Sequence, residues 1–334
     1  MRYWLILIVS IPFFCLAQVA DQKEQRKRII DGLSKDLINH YVSEETGKEM
    51  AEYIQNKLAN DAYDTTLNVY EFTCELTYDL RKISKDKHIL VSYPAFVDKE
   101  DKKLSSLKLS QTNWKDVFKK KDDLDYGNIT IFPEQTGYLE FFDFKSVSLN
   151  TKDYQRIKLK SVLKFLSSSR ALIIDLRKNS GGQVSILKYF LSFFIRKPDT
   201  YLMTEKFRGA LYNNYLYKTI KDTIIREDQY LSRVNRNFFK GKKIYILTSK
   251  HTFSSAEYAV YCLRKFTGAT VIGEQTAGGA NGCLGCVHSS GDYTASIPNI
   301  TLLDKDNGDY TWEAKGIKPD IFVDADSALI VARR

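Results

Sequence analysis

Three short apolar runs, each ending in a turn of glycine or serine, constrain this chain most. Ala171-Leu172-Ile173-Ile174-Asp175-Leu176 leads into Arg177–Gly182 and then a helical pattern over 184–195. Lys243-Ile244-Tyr245-Ile246-Leu247-Thr248 leads into Thr252–Glu257, after which Ala256, Ala259, Val260 and Leu263 recur at i, i+3, i+4 and i+7. The third, 268–273, runs into Glu274–Gly279. Short β-prone runs without polar alternation are strands buried on both faces. Strand, helix, strand, helix, strand joined by glycine turns predicts an α/β core.

Within that core Thr252-Phe253-Ser254-Ser255-Ala256-Glu257 places two serines where a strand turns into a helix. A hydroxyl there stands at a helix N-terminus, where exposed N–H groups and the positive dipole end stabilise a developing oxyanion. Taken alone, the stretch reads more plainly as an N-cap. A nucleophile requires a base and an orienting acid elsewhere. The glycine pair Gly181-Gly182 lets backbone N–H groups approach a ligand closely. It is neither a P-loop nor a dinucleotide fingerprint, since the residues those motifs need are missing.

The 334 residues are enough for a large core and two lobes. The formal charge of +9 is spread along the chain among Asp and Glu, which argues against a nucleic-acid interface and for solubility. Residues 1–17 read as a secretory signal: Arg2, the apolar run from Leu5 to Phe14, then Cys15-Leu16-Ala17. That run is too short for an ordinary span and no later one is long enough. The expectation is an exported protein, periplasmic or extracellular, without stable membrane insertion. Cys283 and Cys286 lie beside His288, but no second pair completes a zinc site. A local disulfide or two thiols is the reading, with no metal or organic cofactor.

Residues 18–93 predict a helical N-terminal lobe of about three helices, from Ile29, Ile30, Leu33 and Leu37, then Met50, Ile54 and Leu58, then Phe72, Leu76, Leu80 and Ile83. His88 follows the last of these, just before the strand run Ile89–Tyr93. Residues 94–136 read as a polar, lysine-rich connector, and 137–334 as the α/β core. Strands are also expected at 137–142, 293–297 and 311–320, and a helix from Tyr154 to Ser167. The aromatics of 196–242 either line a substrate groove or pack the core.

Together these segments resemble the tail-specific, or carboxyl-terminal processing, serine peptidases. Asp175–Gly182 looks like that family's D-L-R-x-N-x-G-G, Thr252–Glu257 like its T-x-S-x-x-E, Gly273–Gly279 like its G-E-x-T-x-G-G, and Glu313–Asp320 like its E-x-x-G-V-x-P-D. The resemblance implies an α/β core of the protease–crotonase (ClpP/crotonase) type. It also implies a peptide or protein substrate. Members with a Ser–Lys dyad carry the lysine where this chain has Gly279. The chain is more similar to the Ser-His-Glu branch, the tricorn protease core and the retinoid-binding-protein repeats. That branch has a D-x-H motif, matched by Asp86-Lys87-His88. The interval from His88 to Gly137 is too short for a PDZ domain.

The resemblance thus implies Ser254 as nucleophile, with Ser255 the alternative hydroxyl, His88 as general base, and Glu313 as the group orienting it directly or through an intervening group. The Ser255 N–H and that of Gly181 or Gly182 would form the oxyanion hole. Asp175 and Glu274 are expected to hold turns. The site is expected to lie between the lobes. The competing expectation is a non-catalytic family member binding a hydrophobic ligand or peptide.

Overall fold

The computed structural model describes residues 7–65, 68–93, 126–144, 152–208, 211–213, 216–218, 224–235, 237–283 and 287–334. Its elements begin with helices α1 (Leu7–His40), α2 (Glu44–Ala59) and α3 (Val69–Ser84). Strands β1 (Leu90–Ser92), β2 (Tyr126–Ile131) and β3 (Thr136–Phe141) follow, then α4 (Lys152–Leu166), β4 (Ala171–Asp175) and α5 (Val184–Leu191). Next come β5 (Thr200–Arg208), β6 (Leu211–Asn213), β7 (Leu216–Lys218), β8 (Ile224–Leu231) and β9 (Lys243–Thr248). After α6 (Ser255–Thr267) stand β10 (Thr270–Gly273), β11 (Asn281–Gly282), β12 (Val287–Ser289), β13 (Thr294–Ser296) and β14 (Ile300–Leu303). The chain closes with β15 (Ile321–Phe322) and α7 (Ala325–Ala332). This is a mixed α/β fold with a helical N-terminal region. Among the described residues no helix is long and apolar enough to cross a membrane.

The chain forms two compact units. The first comprises Met1–Lys108, Phe207–Ile225 and Asn281–Ile300. Ile29, Ile30, Leu33 and Leu37 of α1 pack with Met50 and Ile54 of α2 and with Phe72, Leu76 and Leu80 of α3. Side chains cap two of these helices: Ser43 accepts from the Thr46 N–H at 3.3 Å and Asn68 from the Glu71 N–H at 3.0 Å. Strand β1 pairs antiparallel with β13, and β13 with β12. Through that sheet Tyr293, Ala295 and Ile297 join the helical core.

The second unit comprises Leu109–Lys206, Arg226–Ala280 and Thr301–Arg334. Its centre is a six-stranded sheet of order β15-β10-β9-β4-β3-β2. All neighbours are parallel except β2 and β3. Leu172, Ile174 and Ile246 face one side with α4, α5 and α6, whereas Ile173, Leu247 and Ile272 face the other with α7. Alternate residues of one strand are therefore buried on opposite faces, as the unbroken apolar runs require.

Three expectations change. The end of the 94–136 segment is β2, not connector, and β2 closes the sheet edge against β3; residues 94–125 lie outside the described residues. Residues 311–320 form hydrogen-bonded turns rather than a strand, because Ala314 and Gly316 have φ of 58° and 74°. The α/β core is not continuous from 137 onward, since 207–225 and 281–300 belong to the N-terminal unit. In the aromatic excursion Phe238 and Phe239 stack on Phe193 and Phe194, which is packing. The side chains of Tyr212, Tyr215 and Tyr217 lie outside the described residues.

Candidate active site

The elbow after β9 is built as a local lock. Thr252 Oγ1 donates to the Leu176 carbonyl at 2.8 Å and accepts the Ser249 N–H at 3.0 Å. The Phe253 N–H donates to the Asn179 carbonyl at 3.1 Å. The turns that follow β4 and β9 are thereby tied together. Ser254 then takes φ 56° and ψ −124°, a conformation that costs a non-glycine residue of order 1–3 kcal/mol. Such a residue persists only where its surroundings over-determine it.

Glu257, in the first turn of α6 and fully buried, supplies that constraint. Its carboxylate accepts the Ser254 N–H at 2.9 Å, the Gly278 N–H at 2.8 Å, the Gly279 N–H at 2.7 Å and the Thr276 hydroxyl at 2.5 Å. Burial pushes this carboxyl above its usual value, and the four donors pull it back. Thr276 Oγ1 also accepts the Ile317 N–H at 2.7 Å. The 252–257 turn, the 276–279 turn and the 313–317 turn are thus stitched through one acid. Glu313 stands on the last of these, and its Oε2 accepts the Ala280 N–H at 2.7 Å.

Gly181 and Gly182 lie against the elbow. Their φ angles are +106° and +131°, and a Cβ on Gly181 would come within 2.8 Å of Ser254 Cβ. The structure distinguishes the two glycines. The Gly181 N–H donates to Asn179 Oδ1 at 2.8 Å, so it is spent on the turn. The Gly182 N–H makes no hydrogen bond among the described residues. Nor does that of Ser255, the first residue of α6, where no intrahelical acceptor exists. Ser255 Oγ donates to the Gly182 carbonyl at 2.7 Å, which occupies the alternative hydroxyl.

His88 belongs to the N-terminal unit. The Asp86 carboxylate, fully buried, accepts the His88 N–H at 2.9 Å, and its Oδ1 is 3.4 Å from His88 Nδ1. Asp86 Oδ2 also accepts from Asn281 Nδ2 at 2.8 Å and from the Tyr41 hydroxyl at 3.2 Å. Burial pushes the Asp86 carboxyl up, but the hydrogen bond and charge of His88, with the Asn281 amide, hold it below its usual value. Asp86 therefore positions His88, a role readable in the Asp-x-His spacing as a side-chain turn.

The remaining positions settle as supports. Asp175 accepts the Arg177 N–H at 3.0 Å and the Tyr138 hydroxyl at 2.7 Å. Glu274 accepts the Lys250 N–H at 3.3 Å. A Cβ at Gly279 would run into the Phe253 ring, so the place where dyad members carry lysine is filled here by an aromatic. Cys283 is disulfide-bonded, and Cys286 lies outside the described residues. Among the described residues no group of three or more His, Cys, Asp or Glu could hold a metal ion. Sequence reasoning missed Asn179 and the working of Glu257. Both sit inside the recognised motifs, and only their partners reveal what they do.

Against this geometry the family comparison is decisive. The Peptidase family S41 model matches residues 135–323. The chain belongs to peptidase family S41. A second model, described as the N-terminal domain of Peptidase_S41 in eukaryotic IRBP, matches residues 17–120 of this S41 chain. The interval between the two matches is too short to hold a further domain such as PDZ. A candidate peptidase from Parabacteroides merdae ATCC 43184 has a similar fold, with TM-score 0.57 and 20% identity, over 92% of this chain and 95% of that one. A lipoprotein from Streptococcus agalactiae is also similar, with TM-score 0.56 and 15% identity, over 93% and 94%.

Proposed function

We propose that this S41-family chain is an exported serine endopeptidase acting on peptides or proteins from a protease–crotonase type core. Ser254 is the nucleophile, His88, held by Asp86, is the general base, and Glu313 is the acid that orients the base directly or through an intervening group. The observation that carries the reading is the backbone of Ser254. Ser254 closes a capping box with Glu257, but a cap needs neither the strained backbone nor the two facing glycines that Ser254 has.

In this reading His88 takes the Ser254 proton as Oγ attacks the scissile carbonyl. The oxyanion is received by the N–H groups of Ser255 and Gly182, each worth about 3 kcal/mol in the transition state. His88 then protonates the leaving amine, and water hydrolyses the acyl-enzyme by the same route.

The test is labelling of the purified protein with a fluorophosphonate serine reagent, followed by peptide mapping. Ser254 is expected to carry the label and Ser254→Ala to abolish it. His88→Ala should slow labelling by about a thousandfold or more, with the fold retained by circular dichroism. Unchanged labelling of His88→Ala removes the histidine from the mechanism. An unreactive parent protein removes catalysis and favours the binding reading.

A further inference from the structure

A cavity of about 810 Å³ opens at the end of the second unit where β9 and β10 begin. Its wall includes Lys243 and Tyr245 of β9, Thr270 of β10 and the end of α6. The nucleophile turn follows the other end of β9. Six strand residues separate the two ends, a span of roughly 20 Å, so this cavity is distinct from the candidate active site.

Its lining is one-sided in charge. Arg196, Lys197, Lys240, Lys242 and Lys243 contribute to it, and among the described residues no Asp or Glu does. The sequence carries the same bias, with no acidic residue between Asp228 and Glu257. Part of this charge has a local use. Lys242 Nζ donates to the carbonyls of Ser167 and Ser169, just past the end of α4. The C-terminal turn of α6 also faces the cavity. A helix C-terminus carries about half a negative charge, so two such ends offset about one cation, which Lys242 supplies. Arg196, Lys197, Lys240 and Lys243 remain. Among the described residues none of these four has an ion-pair or hydrogen-bond partner for its side chain.

Four like charges from separate stretches of chain repel one another across a concave wall. Burial of apolar surface does not require them there, and a focused positive potential raises the local concentration of anions. We propose that this cavity binds a multiply charged phosphate-type oxyanion, either a free polyphosphate or an anionic phospholipid headgroup. Guanidinium and ammonium groups together supply the planar and point-charge donors that such oxygens accept. The site is independent of the peptidase reading.

The test uses the full chain in 150 mM salt, with tripolyphosphate followed by calorimetry and vesicles of phosphatidic acid and phosphatidylcholine (3:7) followed by co-sedimentation. Lys197→Gln/Lys240→Gln/Lys243→Gln is compared with Lys35→Gln/Lys82→Gln/Lys160→Gln, which removes equal charge elsewhere. The cavity variant is expected to bind at least tenfold more weakly while the control binds as the parent, both melting with it. Loss with tripolyphosphate identifies a free anion, and loss with vesicles alone identifies a headgroup. Equal weakening in both variants, or no binding of either probe by the parent, overturns the site.

Discussion

Glu257 is a side chain that a substitution table would treat as replaceable by glutamine. It is not, because three of its four donors are backbone N–H groups, which cannot turn away. Glu257→Ala leaves those donors buried and unsatisfied, at about 1–3 kcal/mol each before relaxation. Chemical denaturation should show a loss of at least about 3 kcal/mol, with fluorophosphonate labelling of Ser254 lost at temperatures where the protein remains folded. Labelling at the parental rate would mean that Ser254 holds its conformation without the acid. Gly279 offers the complementary test. Gly279→Lys installs the dyad residue in sequence but drives Cβ into the Phe253 ring. It should destabilise by about 1–3 kcal/mol and fail to rescue His88→Ala, with residual turnover as the readout. These positions also mark what the sequence discloses. Ser254, Gly181 and Gly182 are legible because a strand–turn–helix transition is local. The use of Glu257 is not, since its partners lie about twenty residues away along the chain.

At the scale of elements, α5, β5 and β8 share one half-buried polar bridge. Lys188 Nζ donates to Gln229 Oε1 at 2.6 Å, and Gln229 Nε2 donates to Glu205 Oε2 at 3.0 Å. Burial pushes the Glu205 carboxyl up to about 7, Lys188 opposing and Glu227 adding to it. Burial likewise lowers Lys188. Because the folded value of Glu205 exceeds the unfolded one, the folded state binds more protons between roughly pH 4.5 and 7. Its contribution to stability is therefore full below that window and falls as pH rises through it, by about 3 kcal/mol at most. Glu205→Gln should flatten the slope of unfolding free energy against pH over that interval, as measured by urea titrations. A parental slope in the variant would place the dependence elsewhere. Strand β5 itself was hidden in the sequence among aromatics with two possible uses. Its burial runs in blocks rather than alternating, with Thr204 buried beside Leu202 and Met203 and Glu205 half-buried, so no clean period survives.

For the whole molecule, chain order and unit membership diverge. The helical N-terminal unit is completed by Asn281–Ile300, which a linear reading assigns to the catalytic core. The reason is physical: β12 and β13 are three-residue strands with little apolar content, and a pairing as distant as Val91 with Ala295 leaves no local trace. Yet Tyr293, Ala295 and Ile297 are buried with Ile29, Leu33 and Phe72. Arg28 reaches Asp292 at 3.1 Å and the Val42 N–H reaches the Pro298 carbonyl at 2.9 Å, so α1 and the start of α2 depend on this distant segment. Ala295→Asp places a carboxylate in that core at a site 1% exposed, a cost of several kcal/mol. Hydrogen exchange followed by mass spectrometry should then show protection falling first in α1, α2 and α3, more than two hundred residues from the substitution along most of their length, while β4 and β9 keep theirs. Loss confined to β1, β12 and β13 would mean that the helices stand without the sheet. Loss appearing first in β4 and β9 would mean that Asn281–Ile300 supports the other unit instead.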